Sequence, residues 1–315
     1  MIRVLDGIDA FLDQLSSVEP WPVLLAVLAQ LGRLGCTSMA WRNILAAAYP
    51  DRAVRRLSIL GAYLAGVGVN AIIPIRAGDA VRVVLAHRAI SASTYTTVVS
   101  STLVLSIFDM LAATCLLVWA ILTQEALPNL GDLPDLPSFD FAWLLGHPLA
   151  AELLLAALLI AAVLLGFWIR GHVADFWARV RQAFAVVRRP GLYVRSVAVW
   201  QAGDWALRVV TVWFLLDAFG IPQTVENALL VQVSSSLATL VPLTPAGIGT
   251  EQAFLLFVFQ GAVPGSQLLA FSVGMRLMLS TTNVVAGFTA IAVTLRTLRY
   301  SRALGDAGGG PGHVP

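Results

Sequence analysis

Two polar breaks interrupt the long apolar stretches of this chain, and both read alike. The first is Ile72-Ile73-Pro74-Ile75-Arg76-Ala77-Gly78-Asp79. The second is Leu240-Val241-Pro242-Leu243-Thr244-Pro245-Ala246-Gly247-Ile248-Gly249-Thr250-Glu251. Each runs from aliphatic residues through Pro and Gly to a carboxylate, and then into another apolar helical pattern. A bilayer offers no water to unwound backbone, so such a break is tolerated only where protein buries it or where it meets a wet cavity. A matched pair of interrupted segments in the two halves of a membrane chain points to a transport site.

Composition supports the membrane reading. Of the 315 residues 58% are hydrophobic and 12% charged, and the mean hydropathy is +0.81; soluble domains carry about 25% charged residues. The expected fold class is all-α: a polytopic integral membrane protein with spanning helices and two opposed re-entrant hairpins forming an inverted repeat. The expected organisation is a surface amphipathic segment over 1–20, one transmembrane domain over 21–295, and a basic, then disordered, tail over 296–315. In the first segment Leu5, Ile8, Leu12 and Leu15 recur at helical spacing opposite Asp6, Asp9 and Asp13, the pattern of a helix lying on a membrane surface. The acids and the lack of a small-residue cleavage site argue against a secretory signal. Cys36 and Cys115 fall in apolar stretches and read as packing residues. Neither a disulfide nor a metal site is expected, and no cofactor is implied.

Apolar segments occur at about 21–41, 57–75, 80–90, 96–122, 149–169, 196–219, 226–243, 251–263 and 267–294. A spanning helix needs about 20 residues. Segments 80–90 and 251–263 are too short to cross, and each directly follows a break, which makes hairpins of 57–90 and 226–263. The loops set orientation. Loop 42–56 holds Arg42, Arg52, Arg55 and Arg56; loop 170–195 holds six arginines; the tail holds Arg296, Arg299 and Arg302. Loop 123–148 holds Glu125, Asp132, Asp135 and Asp140 and no Arg. The positive-inside rule places the first three in the cytoplasm and the last outside. Tracing the chain then puts the N-terminus outside, the C-terminus inside, and the two hairpins on opposite faces of a plasma (inner) membrane. Stretch 171–190 carries Val173, Phe176, Trp177, Val180, Phe184 and Val187 on one helical face and arginines elsewhere. This is either a lipid-binding amphipathic helix or an ordinary interfacial connector.

Charges at membrane depth are costly and mark functional positions. Here they are Arg33, Arg76, Asp79, Arg82, Asp109, Asp204, Arg208, Glu251 and Arg276. Asp204 and Arg208 share a helix face and can pair; that pair reads first as a structural tie between helices. Asp109 has no local partner; it needs an arginine from another helix, for which Arg33 and Arg276 are the candidates, or must take up a proton. A half-helix begins at each break, at Gly78-Asp79 and at Gly249-Thr250-Glu251. Helix N-termini present free N–H groups that bind phosphate. With Arg76 and Arg82 nearby, the two starts suit a phospholipid headgroup. Asp79 and Glu251 occupy the same places, to pair with those arginines, coordinate a cationic headgroup or carry a coupling proton; capping of the half-helices is the structural alternative. Ser234, Ser235 and Ser236 read as small residues for close helix packing. The four histidines fall in loops or the tail, and no nucleophile constellation emerges.

At these motifs the sequence resembles the flippase-like transmembrane domain of the lysylphosphatidylglycerol synthase family, over roughly residues 20–295. Tyr63, Asn70, Pro74, Arg76, Gly78, Asp79 and Arg82 carry the first motif. Pro242, Thr244, Pro245, Gly247, Gly249 and Glu251 carry the second, with Asp109 and Arg276 where such proteins have an acid and an arginine. Leu105 and Ser106 stand where members often have Glu-Arg, and Asp79 where Glu is commoner. The resemblance implies movement of an anionic or modified lipid between leaflets. It implies no synthase activity, because the aminoacyl-transferring domain is absent from this sequence. The expected substrate-binding residues are Arg76, Gly78, Asp79, Arg82, Gly249, Thr250 and Glu251, with a charge network of Asp109, Asp204, Arg208 and Arg276. Expected partners are membrane lipids, a lipid-modifying enzyme or a second copy of the chain, and no nucleic acid. Two other readings remain: an enzyme acting on a lipid-linked phosphate, such as a polyprenyl-diphosphate phosphatase, and a non-transporting membrane partner of a lipid-modifying enzyme.

Overall fold

A computed structural model of the chain describes residues 19–73, 77–123, 173–240, 250–259 and 263–308. The regular structure among them is helical, without a strand. Helix α1 (Pro20–Ala48) opens with Pro in its first turn, where a missing N–H costs nothing. At 29 residues it is about 43 Å long. It continues past Arg42, where the sequence pointed to a loop. The Arg42 guanidinium is satisfied by the Val54 carbonyl and the Asn43 side chain, while Ile44 and Leu45 stay fully buried.

Helix α2 (Arg56–Ile72) ends at the first break, and α3 (Ala77–Ala89) folds back along it. Helix α4 (Tyr95–Leu122) starts at Thr94, whose side-chain oxygen accepts the Thr97 N–H. After α5 (Val173–Ala183), the chain passes through α6 (Pro190–Tyr193) and a π turn at Val194–Ala198 into α7 (Val199–Ala218). The second hairpin is α8 (Val225–Leu240) and α9 (Thr250–Val258), followed by α10 (Gly265–Gly308).

Among the described residues, three helices are long and apolar enough to cross a membrane: Pro20–Ala48, Tyr95–Ala120 and Gly265–Val293. The segment 196–219, expected to span, is helical but does not join them. Gln201, Asp204 and Arg208 lower the hydropathy of α7, and these residues are its buried or half-buried face. The amphipathic helix expected over 171–190 stops at Ala183; beyond it turns bring Val186 into full burial. The expected surface helix of 1–20 (all but its last two residues), the acidic loop after residue 123 and the span 149–169 lie outside the described residues.

Burial divides the bundle into two apolar cores. One gathers the C-terminal half of α1 (Trp41, Ile44, Leu45), Ile59 and Tyr63 of α2, Ala86 and Ile90 around the end of α3, and Val98 and Val104 of α4. The other gathers Ala26 near the start of α1, Leu215 and Leu216 of α7, Val231 of α8, Leu255 of α9 and Phe271 of α10. The two hairpins thus root at opposite ends of α1. The ends differ in charge. Arg52, Arg55, Arg56, Arg88, Arg188 and Arg189 are exposed around the first core and outnumber the exposed Asp51 there, whereas Glu19, Asp217 and Glu226 are exposed around the second.

Candidate functional site

Helices α1 and α7 pack antiparallel along most of their lengths. The Glu19 N–H donates to the Ala218 carbonyl at 3.3 Å at one end, and the Asn43 amide donates to the Ser196 carbonyl at 2.6 Å at the other. Glycines on both helices let the backbones approach. A methyl group at Gly32 would sit 3.3 Å from Leu207, and one at Gly203 would sit 3.4 Å from Cys36. This register brings Arg33 of α1 to Asp204 of α7, between the two cores.

Asp204 is the hub of a polar layer. It is only 2% exposed, and its two oxygens are shared out. Oδ1 accepts from Arg33 Nε at 3.0 Å and from Thr37 Oγ1 at 2.8 Å; Oδ2 accepts from Arg208 Nε at 2.7 Å. Arg208 reaches on to Asp109 of α4 at 3.4 Å and stacks over Trp205, whose indole N–H also donates to Asp109 at 2.9 Å. Asp109 is therefore neutralised by Arg208 rather than by Arg33 or Arg276, the partners expected from sequence. The absent Glu-Arg upstream of Asp109 is made good from a different helix. Gln30 extends the layer to α10, accepting from Arg33 at 3.1 Å and donating to Asn283 at 2.9 Å. Breaking a buried ion pair costs about 3–5 kcal/mol, because the surviving charge is left without a partner. The network thus ties α1, α4 and α7 into one unit.

The first hairpin closes its own tip. Gly66 and Gly78 meet backbone to backbone: a methyl group on Gly78 would overlap the Gly66 carbonyl oxygen, and one on Gly66 would lie 2.6 Å from the Gly78 oxygen. Asn70 clamps the turn, accepting the Gly78 N–H at 2.8 Å and donating to Asp79 at 3.0 Å. Asp79 pairs with Arg82 at 3.3 Å, and the Arg82 guanidinium lies over Trp41. Asp79 here serves the hairpin that carries it.

The second hairpin is looser. Ser235 of α8 donates to Glu251 of α9 at 2.6 Å. The other oxygen of Glu251 faces Arg276 of α10 at 3.8 Å, an ion pair beyond hydrogen-bonding distance. A cavity of about 270 Å³ opens beside it. By helix, α1 and α7 contribute Gln30, Arg33 and Arg208 as one wall, and α8 and α9 contribute Gln232, Ser235, Ser236 and Glu251 as the other; Met275 and Leu279 are among the apolar lining.

Of the sequence-derived site residues, the structure places Glu251 and Arg208 on this cavity, and Arg208 joins Asp109 and Asp204 in the network behind it. Arg276 reaches it through Glu251. Asp79, Arg82 and Gly78 make the first hairpin's tip and are not among the residues lining the cavity. Arg76 and Gly249 lie outside the described residues, and α9 begins at Thr250. Nothing in the sequence marked Gln30 or Gln232, and Ser235 and Ser236 read there as packing residues. Neutral amides and small hydroxyls in apolar helices look like packing residues, and only the fold turns them toward one space.

Helices of membrane-crossing length, with a charged layer enclosed between apolar cores, define an integral membrane protein. The chain belongs to the family described as the lysylphosphatidylglycerol synthase TM region, whose family model matches residues 2–287. No curated protein and no solved structure matched the chain.

Proposed function

We propose that this protein moves a membrane lipid between leaflets. The headgroup passes the cavity beside Glu251 while the acyl chains remain in the bilayer. The observation that carries this reading is the cavity itself: two guanidiniums and a carboxylate open onto one space in the layer between two apolar cores. Polar groups at such depth are expensive and are kept for what passes them. The family membership supports a lipid-related role. The matched region is the transmembrane one, where a lipid headgroup would have to cross.

In this reading α2–α3 and α8–α9 are re-entrant hairpins entering from opposite faces as an inverted repeat. Their rooting at opposite ends of α1 supports it, as does the segregation of exposed arginines and acids between those ends. The arginine-bearing end is cytoplasmic by the positive-inside rule, in the inner membrane, with the N-terminus outside.

Purified protein in proteoliposomes is expected to speed the leaflet exchange of acyl-labelled phospholipid. Unchanged exchange across several headgroups, with folded protein, refutes transport. The architecture has its own test. In a background without Cys36 and Cys115, Ala77→Cys is expected to resist an impermeant thiol reagent added outside, and Leu130→Cys to react. Equal labelling from outside would remove the opposed hairpins.

A further inference from the structure

The cavity beside Glu251 has two chemically opposite walls, and both retain bonding capacity. Arg33 uses Nε on Asp204 and Nη1 on Gln30; Arg208 uses Nε on Asp204 and Nη2 on Asp109. A guanidinium carries five N–H donors, so each has donors beyond those bonds. Across the space, Glu251 accepts from Ser235 and stands 3.8 Å from Arg276. A carboxylate offers about four acceptor positions. Ser235, Ser236 and Gln232 flank it on the same side.

The charges of this layer balance. Arg33, Arg208 and Arg276 stand against Asp109, Asp204 and Glu251 among the described residues. An occupant bringing a net charge would leave it uncompensated where water is scarce, which is costly. A purely anionic headgroup matches the arginine wall but meets Glu251 across the cavity. A cationic one matches Glu251 but meets Arg33 and Arg208. A group with a phosphate at one end and a primary ammonium at the other satisfies both walls and adds no net charge.

Resting on the translocation reading above, we propose that the cavity selects a zwitterionic phospholipid headgroup bearing a primary ammonium, of the ethanolamine type. Its phosphate lies against Arg33 and Arg208, and its ammonium donates to Glu251. This narrows the anionic or modified lipid expected from the sequence to one headgroup chemistry. The N–H donors matter as well as the charge: a quaternary choline headgroup has the same net charge but cannot hydrogen-bond to the carboxylate.

The test uses the full chain in proteoliposomes with acyl-labelled ethanolamine, choline and glycerol phospholipids. The wild type is expected to move the ethanolamine lipid at least about tenfold faster than the anionic glycerol lipid, a difference of about 1.4 kcal/mol, with choline slower than ethanolamine. Glu251→Gln keeps the size of the side chain and an oxygen for Ser235 but removes the charge. It is expected to bring the ethanolamine-to-glycerol ratio below about twofold, chiefly by slowing the ethanolamine lipid. Faster movement of the glycerol lipid by the wild type, or an unchanged ratio in the variant, overturns the headgroup assignment and leaves translocation standing. Movement of none of the three by folded protein overturns translocation itself. Should the variant not fold, native mass spectrometry of the wild type offered equal amounts of the three lipids decides: preferential retention of the ethanolamine lipid supports the assignment, and equal or anionic retention overturns it.

Discussion

The two hairpins begin from similar sequence and end in different physical states. In the first, α2 and α3 meet through glycine backbone, Asn70 staples the turn, and the carboxylate and guanidinium of the tip pair with each other. In the second, α9 is short, its carboxylate reaches Arg276 only at 3.8 Å, and its flank is an open cavity. Close backbone contact leaves no freedom to shift without a clash, because packed interiors give way by fractions of an ångström at most. A long ion pair beside a cavity can lengthen or re-form at little cost. The comparison teaches that a break motif marks a hairpin but does not by itself make a site. What surrounds the carboxylate decides whether it holds its own hairpin shut or faces something else.

The asymmetry can be tested by substitution, measured as unfolding of the purified protein in a fixed detergent. The largest effect is expected on the fixed side, at the hub between the hairpins. Asp204→Ala leaves Arg33 and Arg208 without their shared carboxylate and should cost about 3–5 kcal/mol. A loss below about 1 kcal/mol would mean that the polar layer does not hold α1 to α7. Next comes the tip of the first hairpin. Gly78→Ala drives a methyl group into the Gly66 carbonyl, and since both sides of that contact are backbone, the loss should reach the upper end of overpacking costs, about 3 kcal/mol.

The third test compares one hydrogen-bonding side chain from each hairpin. Asn70→Ala removes two bonds and leaves the buried Gly78 N–H without its acceptor, for a loss of about 2 kcal/mol. Ser235→Ala removes a bond to a carboxylate beside a cavity, where water can replace it, and should cost under about 1 kcal/mol. Equal losses would erase the distinction between a stapled hairpin and an open one.

How much of this was legible in the sequence follows from the range of the interactions. The two helix interruptions were legible because Pro and Gly act locally, and the Asp204–Arg208 pair because four residues return a helix to the same face. The partner of Asp109 was not. Arg208 is 99 residues away, and its selection depends on how α4 packs against α7. The length of α1 was missed because arginine at position 42 reads as a loop residue until the Val54 carbonyl is placed beside it. Residues 196–219 fall short of a spanning helix by composition because Gln201, Asp204 and Arg208 form a buried or half-buried polar face. The cavity was the least legible feature. Gln30 and Gln232 are 202 positions apart, and no short motif joins them.

The smallest expected effect is the most discriminating, because it reverses sign. Gly265 opens α10 directly after the second hairpin, and among the described residues a methyl group built there would meet only the Leu256 side chain, at 3.5 Å. That is ordinary van der Waals contact with the end of a flexible, partly exposed side chain. Gly265 does not occupy the left-handed region, so alanine fits its backbone. A Gly-to-Ala change at a compatible position stabilises by about 0.4–1 kcal/mol, since it removes freedom from the unfolded chain. Gly265→Ala is therefore expected to raise stability by about 0.5 kcal/mol, while the same substitution at Gly78 lowers it. One chemical change thus acts as reporter for both regions. Destabilisation by Gly265→Ala comparable to that of Gly78→Ala would show that α9 and α10 pack as tightly as α2 and α3, and would deprive Glu251 of the slack on which an exchangeable ion pair depends.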